Sequence, residues 1–286
     1  MADAAGGSVT ARHALVVEGG GMKAAYASGV LSAFEEHGYH PFDVVYGTSA
    51  GGALAAWFSA GQARYAEATW DYAADRRILS YRRFLRGGPL LDHDGLLAIV
   101  YEKEHPLDLA ALRRAKHPVM VTAVDVANGE VVYHDLRGRD PIAWLKATGR
   151  LPLGAGAPVR IDGRELLDGG IIDPIPVRRA VADGATHLTI VLNTPSGPRK
   201  PDHPLAVWAA ARRFPALRPG IEGHSRIKQE AIEFAKAPPP GVSAHLLRPY
   251  RPTGVHRLSR DLDKIHAVLE QGRADGRAHL ARLDHI

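Results

Sequence analysis

The sequence predicts an α/β fold made of one domain. Short apolar runs at 13–17, 44–46, 119–124 and 187–192 have the length and composition of buried strands. Two of these runs end in glycine-rich turns, and each turn leads without a gap into a segment suited to a helix. Hydrophobic residues make up 45% of the chain and charged residues 23%, which is ordinary for a globular protein and argues against disorder.

The length of the chain limits its domain organisation. A chain of 286 residues is long for one domain, but it can bury the core of a layered α/β structure. Residues 1–12 are small and polar, and we expect a flexible N-terminus there, followed by a single domain over 13–286. Residues 61–117 are helical with interruptions and are expected to form an insert or cap. No internal repeat or second core-sized unit is visible in the sequence.

Charge and composition limit the classes of function expected for this chain. The net charge is +5, but the arginines are scattered among acids, which favours a solvated surface. Peripheral contact with an anionic membrane is a second expectation from this charge. Nucleic-acid binding is not expected, because no basic stripe with interleaved aromatic residues occurs. The absence of cysteine excludes disulfides and thiolate chemistry. Residues 1–10 lack the apolar core of a signal peptide, so the cytoplasm is the default location.

The remaining elements follow from periodicity and turn residues. Asn128-Gly129 predicts a tight hairpin after the strand at 119–124. A second hairpin is expected around Asp162-Gly163, and the apolar spacing of the C-terminal segment indicates an amphipathic helix. The predicted helices lie at 24–37, 53–58, 64–75, 81–86, 96–104, 142–148, 176–182, 205–214, 221–236 and 259–283, and further strands at 131–133, 159–161, 165–167 and 242–247.

The turn after the second strand carries the candidate nucleophile. The segment 44–52 places Ser49 between Gly47 and Gly51, at a sharp turn from strand to helix. Such a turn holds its central residue in a strained backbone conformation, and small flanking residues let the chain pass. The serine hydroxyl then projects above the strand, next to the N-terminus of the following helix. A Gly-x-Ser-x-Gly pattern also arises by chance in a glycine-rich chain, so the neighbouring motifs decide.

The first strand leads into a glycine loop that predicts an anion site. Backbone N–H groups of Gly19, Gly20 and Gly21 can approach a negative charge at the N-terminus of the next helix. The loop also fits a loosened dinucleotide fingerprint, which needs an acid at the end of the second strand. Asp43 precedes that strand instead, so we favour an oxyanion hole in which Met22 is a further N–H donor.

An aspartate supplies the candidate base. Asp168 follows the second predicted hairpin and is followed by Gly169 and Gly170. Because no side chain intervenes at the two glycines, the carboxylate can lie close to the end of a neighbouring strand. The sequence therefore predicts that Asp168 removes the proton of the serine hydroxyl.

Three motifs in this order resemble the patatin-like phospholipase family. They are Glu-Gly-Gly-Gly-Met-Lys at 18–23, Gly-Thr-Ser-Ala-Gly at 47–51 and Asp-Gly-Gly-Ile-Ile-Asp-Pro-Ile-Pro at 168–176, and the resemblance spans roughly 13–193. One segment departs from the family, in which an Ala-Ser pair commonly precedes a proline upstream of the aspartate. Here Thr148 stands in place of that serine and keeps the hydroxyl.

This resemblance implies a three-layer α/β/α fold with a central, mostly parallel sheet and a Ser-Asp dyad. In the family's chemistry Ser49 would attack an ester carbonyl, and Asp168 would take its proton. The loop Gly19 to Gly21 would hold the oxyanion, and Lys23 stands at the basic position that ends the family's glycine motif. Similar proteins hydrolyse acyl esters of lipids, such as phospholipids or lysophospholipids, without a metal or an organic cofactor.

Three alternatives stay open at the level of sequence. A histidine could complete a triad, and those that follow the candidate acid qualify by order alone: His187, His203, His224, His245, His256, His266 and His279. A nucleotide-binding protein could use the glycine loop, and a catalytically idle lipid-binding module could keep the same fold. Metal binding is not expected, because no His-Glu-x-x-His or His-x3-His spacing occurs.

Overall fold

The computed structural model describes residues 12–100, 106–196 and 204–283. Within these ranges the strands form one eight-stranded sheet. The strands are β1 (His13–Val17), β2 (Val44–Thr48), β3 (Val119–Asp125), β4 (Val131–Asp135), β5 (Val159–Ile161), β6 (Arg164–Asp168), β7 (His187–Val191) and β8 (Ser243–Leu247). The helices are α1 (Ala25–Glu36), α2 (Ala50–Ser59), α3 (Thr69–Ala74), α4 (Tyr81–Leu85), α5 (His93–Ala98), α6 (Leu109–Arg113), α7 (Pro141–Thr148), α8 (Val177–Ala182), α9 (Pro204–Arg213), α10 (Arg218–Lys236) and α11 (Leu262–Leu283).

The sheet has a parallel part and an antiparallel part. Strands β3, β2, β1, β7 and β8 lie side by side in this order and run parallel. Strands β4 and β6 both pair with β3 in antiparallel orientation, and β5 pairs with β6. The parallel strands are joined by helical crossovers, whereas β5 and β6 form a hairpin. The carboxyl ends of β1, β2 and β7 therefore share one edge, where α/β folds carry their sites.

Alternate residues of the central strands enter two different cores. In β1, Leu15 and Val17 pack with α1, α2, α7 and α11, whereas Ala14 and Val16 pack with α8 and α10 on the other face. Neighbouring strand residues point to opposite faces, so a strand that is apolar throughout must be covered on both sides. The result is three layers, with the sheet between two layers of helices, and the predicted fold class is confirmed.

The last helix is part of the main core. Helix α11 packs along α1 so closely that a Cβ built on Gly29 would lie 1.9 Å from the carbonyl oxygen of Leu269. A Cβ on Gly272 would lie 2.0 Å from the carbonyl oxygen of Tyr26. Only glycine permits this approach of two helix backbones. Strand β8 and helix α11 thereby attach the C-terminal part of the chain to the same sheet and core.

Most predicted elements appear with shifted ends. The helix predicted at 96–104 begins at His93 because the Asp92 side chain accepts the Gly95 N–H at 2.9 Å. Its predicted end at 104 lies outside the described residues, as do residues 1–11 of the predicted flexible segment 1–12. Tyr81 and Phe84, two aromatic residues of the segment 61–117, are each about half exposed on α4. In the described ranges, no helix is long and apolar enough to cross a membrane.

Candidate active site

Strand β3 brings the predicted nucleophile and the predicted base together. Its residues 120–124 pair with β4 along one edge, so β2 and β6 must share the other edge. On that edge β2 ends with Thr48 opposite Thr122, and β6 ends with Asp168 opposite Ala123, the next residue of β3. The carboxyl ends of β2 and β6 therefore meet on the same edge of β3. Ser49 follows Thr48 directly, and its hydroxyl lies near enough to the Asp168 carboxylate to lower the pKa of that carboxyl as a hydrogen-bond donor.

Ser49 sits on a strained corner, as the sequence predicts. Its φ of 56° and ψ of −131° belong to a region that residues with a side chain rarely occupy. The corner is possible because its neighbours are small: a Cβ on Gly47 would lie 2.5 Å from the Gly51 carbonyl oxygen, and one on Gly51 would lie 2.5 Å from the Val17 carbonyl oxygen. The corner is held by the Ser49 N–H, which donates to the Thr148 hydroxyl at 2.9 Å.

Asp168 is shielded from water but not neutralised. Only 4% of its surface is exposed, and burial raises the pKa of its carboxyl to about 6. The hydrogen bond with Ser49, the N–H of Gly170 at 2.8 Å from Oδ1 and the positive charge of Arg257 act in the opposite direction and limit this rise in pKa. A carboxylate with a pKa near neutrality is a far better proton acceptor than a solvated aspartate.

The glycines after Asp168 allow it to approach β2. A Cβ on Gly169 would lie 2.4 Å from the Thr122 hydroxyl oxygen, and one on Gly170 would lie 2.9 Å from Asp168 Oδ1. The Thr122 hydroxyl itself donates to the Thr48 hydroxyl at 2.9 Å. A side chain at Gly169 would collide with Thr122, and one at Gly170 would collide with the Asp168 carboxylate.

The glycine loop borders the serine on its other side. A Cβ on Gly19 would lie 2.9 Å from the Ser49 Cβ, and the φ angles of Gly20 and Gly21 are 156° and 55°. These conformations turn the backbone of the loop beside the hydroxyl. The Met22 N–H differs from expectation, because it donates to the carbonyl oxygen of Arg257 at 3.1 Å. The Met22 N–H is therefore already hydrogen-bonded in this structure. The N–H groups of the loop glycines are the remaining candidate donors to an oxyanion.

A buried ion pair between Glu18 and Lys228 lies at the start of the glycine loop. Glu18 is fully buried, and it accepts hydrogen bonds from the N–H groups of Asn193 and Thr194 at 2.6 and 3.1 Å. Burial alone would raise the pKa of Glu18, but the ammonium of Lys228 in contact with it and the charge of Lys23 lower it to about 2. Glu18 is therefore ionised throughout the physiological range and fixes the start of the loop.

An apolar pocket of about 400 Å³ opens at this site. Ser49, Asp168 and the glycine loop line its polar end. The rest of the wall is mostly apolar and comes from several helices, including part of the segment 61–117 that was predicted to be an insert or cap. Its large apolar side chains include Leu54, Trp57, Trp70, Leu97, Leu145 and Val207. A pocket of this kind accommodates a flexible hydrocarbon chain beside the serine.

The histidines that could complete a catalytic triad lie in different parts of the structure. His187 pairs with His13 at the amino ends of β7 and β1, at the opposite end of these strands from Ser49. His224 lines the pocket, where its Nε2 lies 3.3 Å from the Arg257 guanidinium, and His93 lines the pocket with its pKa lowered to about 4 by burial. His203 lies outside the described residues. In the described ranges, no cluster of three potential metal ligands occurs.

Three functional contacts escaped the sequence analysis. Lys228 and Arg257 reach the glycine loop from more than 200 residues away in sequence, so no local pattern marks them. Thr148 was recognised only as a departure from the family motif, yet its hydroxyl accepts the Ser49 N–H. The Gly-x-Ser-x-Gly corner, the Asp-Gly-Gly turn and the glycine loop had sequence signals of their own.

The structure combines an α/β sheet, a serine at a strand-to-helix corner, a buried aspartate and a glycine loop. This combination is typical of the class of serine hydrolase-like folds. The chain belongs to the patatin-like phospholipase family, whose model matches residues 15–181. A second match, over residues 214–286, is to a domain of unknown function.

Similar proteins occur in several bacteria. The uncharacterized protein YjjU of Escherichia coli K12 is 27% identical, and the alignment covers 96% of this chain and 79% of that protein. An uncharacterized NTE family protein of Mycobacterium tuberculosis H37Rv is 30% identical to this chain. The alignment covers 69% of this chain and 54% of that protein. The crystal structure of VipD from Legionella pneumophila has a TM-score of 0.50 and 13% identity, covers 95% of this chain and 67% of that one, and supports the fold alone.

Proposed function

We propose that this chain is a serine acyl hydrolase that cleaves a carboxylic ester of a lipid, such as a phospholipid or lysophospholipid. The observation that carries the proposal is the single pocket in which a strained Ser49, a buried Asp168 and the glycine loop adjoin an apolar wall. Membership of the patatin-like family supports the same chemistry.

The reaction proceeds in two steps on these groups. Asp168 takes the proton of the Ser49 hydroxyl while the serine oxygen attacks the ester carbonyl, and the N–H groups of the loop Gly19 to Gly21 stabilise the oxyanion. Collapse of the tetrahedral intermediate releases the alcohol, which receives the proton from Asp168. A water molecule then attacks the acyl-enzyme and gives one proton to Asp168. Collapse of the second tetrahedral intermediate releases the fatty acid, and Asp168 returns the proton to the Ser49 oxygen.

The properties of the site suit this role. The strained backbone at Ser49 supports exposure of its hydroxyl to the pocket, and the effect of this hydroxyl on the pKa of Asp168 supports their pairing. The pKa of Asp168 near 6 makes the carboxylate a base at neutral pH and an acid strong enough to return the proton. The apolar wall excludes water and binds the acyl chain, which strengthens the electrostatic stabilisation of the oxyanion.

Ester hydrolysis by single variants tests the proposal. We expect Ser49→Ala and Asp168→Asn to lower turnover of a short-chain nitrophenyl ester by at least about a thousandfold, because each removes a group that takes part in bond making. The matched controls Ser196→Ala and Asp162→Asn change exposed residues outside the site and should keep wild-type activity.

The same assay separates the alternatives. His224→Ala and His93→Ala should retain measurable turnover, whereas complete loss at one histidine would indicate a triad. Hydrolysis that survives Ser49→Ala would contradict the proposal. Retention of NAD or ATP in equilibrium dialysis by a protein without Ser49-dependent hydrolysis would favour the nucleotide-binding alternative.

A further inference from the structure

The C-terminal part of the chain closes over the glycine loop at one point. Arg257 lies in the turn between β8 and α11, and its carbonyl oxygen accepts the Met22 N–H at 3.1 Å. A Cβ on Gly21 would lie only 2.4 Å from that carbonyl oxygen and 2.8 Å from the Arg257 Cγ. Ser259 stabilises this turn, because its hydroxyl accepts the His256 N–H at 2.6 Å. The backbone of Arg257 is thus tied to the loop beside Ser49.

The Arg257 side chain extends from this turn into the pocket. Arg257 lines the same cavity as Ser49 and Asp168, and its Nη2 lies 3.3 Å from the Nε2 of His224, which also lines the cavity. Among the described residues no carboxylate forms an ion pair with it, although the other end of the loop has the Glu18 and Lys228 pair. The positive charge also lowers the pKa of Asp168, which shows that the guanidinium lies within electrostatic range of the candidate base.

The charge distribution of the pocket is therefore uneven. The walls are largely apolar, and a half-buried guanidinium stands beside the polar end where the ester would react. A guanidinium carries a planar fork of N–H donors that matches the oxygens of phosphate. In a glycerophospholipid or lysophospholipid, the phosphate is joined to the ester through the short glycerol unit. A phosphate bound at Arg257 would leave the ester carbonyl near Ser49 and the acyl chain in the apolar part.

We propose that Arg257 forms an anion subsite that binds the phosphate group of the ester substrate, so that the C-terminal region contributes specificity to the catalytic pocket. This inference rests on the proposed function and adds to it the substrate class and the residue that selects it. It also gives a role to part of the region 214–286, which matches a domain of unknown function.

Two substrates with the same acyl chain test the subsite. We would compare kcat/KM for a 1-acylglycerol 3-phosphate with that for the corresponding 1-acylglycerol, in mixed micelles of matched composition. Arg257→Gln should lower the ratio of the two kcat/KM values by about tenfold or more, since a charge-assisted hydrogen bond to phosphate is lost. Arg257→Lys should retain part of the preference, because lysine keeps the charge without the planar fork. Arg251→Gln, an exposed residue of the same connection, should leave the ratio unchanged.

Competitive inhibition of nitrophenyl ester hydrolysis identifies the source of the phosphate. Glycerol 3-phosphate should inhibit the wild type and lose potency in Arg257→Gln. Stronger inhibition by glycerol 3-phosphate than by inorganic phosphate supports a lipid headgroup, and equal inhibition supports a subsite for the phosphate ion itself.

A specificity ratio that is unchanged in Arg257→Gln would overturn the inference. Equal losses on both substrates would also overturn it, and would leave Arg257 as a residue that positions the glycine loop. Because the main-chain carbonyl that holds Met22 is kept in every variant, the side chain is tested separately from the loop contact. Hydrolysis of the neutral ester that still requires Ser49 would show that only the subsite has failed and that the proposed function stands.

Discussion

Two carboxylates lie on either side of the glycine loop and differ in their ionisation. Glu18 is fully buried and Asp168 is 4% exposed, so both have lost nearly all contact with water. The pKa of Glu18 is nevertheless lowered to about 2, whereas that of Asp168 is raised to about 6. The opposite directions teach that the partners, and not the degree of burial, decide the ionisation of a buried acid.

The partners explain the two roles. The Lys228 ammonium compensates the charge of Glu18 directly, and two backbone N–H groups and the Thr194 hydroxyl donate hydrogen bonds to it. The Asp168 carboxylate accepts the Gly170 N–H, and the Ser49 hydroxyl and the charge of Arg257 act on its pKa without an ion pair. Glu18 is therefore a structural support, and Asp168 is a group that can accept and release a proton near neutral pH.

The largest expected effect on stability comes from breaking the buried pair. Glu18→Gln removes the negative charge that compensates Lys228, and Lys228→Met removes the positive charge that compensates Glu18. Each single variant should lower the free energy of unfolding by about 3–5 kcal/mol, the usual cost of an uncompensated buried charge. Urea unfolding at neutral pH measures the loss.

The double variant and a surface pair provide the controls. Glu18→Gln combined with Lys228→Met should recover a large part of the loss, because no charge remains buried without its counterpart. The exposed pair Arg226 and Glu230 lies on the same helix α10, and Glu230→Gln should cost only about 0.3–0.5 kcal/mol. Losses in the double variant equal to the sum of the single losses would contradict a direct coupling between Glu18 and Lys228.

Asp168 should act on stability in the opposite direction. Its pKa in the folded chain, about 6, lies above the ordinary value of 3.8, so ionisation is less favourable in the folded state than in the unfolded one. This cost is absent below about pH 4, grows as the pH rises towards 6, and is complete above it. Asp168→Asn should therefore increase the free energy of unfolding by about 1–3 kcal/mol at pH 7.5 while activity is lost.

The pH dependence makes this expectation specific. The difference between Asp168→Asn and the wild type in urea unfolding should shrink as the pH falls below about 6 and disappear below about 4. Asp162→Asn, on the exposed turn of the β5–β6 hairpin, should follow the wild type at every pH. An Asp168→Asn variant that is less stable than the wild type at pH 7.5 would show that the carboxylate is stabilised by its surroundings.

The sequence predicts the local parts of this site well. Gly47, Ser49 and Gly51 form one turn whose conformation depends on residues that are adjacent in the chain, and the same holds for Asp168 and its two glycines. Their convergence follows from the register on β3, which a resemblance to the family implies but no local pattern encodes.

The contacts over long sequence distances could not be predicted. Lys228 reads as one of many charged residues on an amphipathic helix, and Arg257 as one of many scattered arginines. Their roles depend on how α10 and the turn before α11 dock on the sheet, which is determined by packing such as that of Gly29 against Leu269. The engaged N–H of Met22 escaped prediction for the same reason, because its acceptor belongs to Arg257.

Ser49 is proposed to be a nucleophile whose proton is taken by Asp168. The rate at which a fluorophosphonate labels the protein tests this most directly, from about pH 4 to about pH 8, with the adduct followed by intact mass and located by peptide mapping. A Ser-Asp dyad predicts one adduct on Ser49. Its rate of formation should rise about tenfold per pH unit up to an apparent pKa near 6 and then level off, and Asp168→Asn should suppress it at every pH. An adduct on another residue, or labelling of Ser49 that is undiminished in Asp168→Asn, would contradict it.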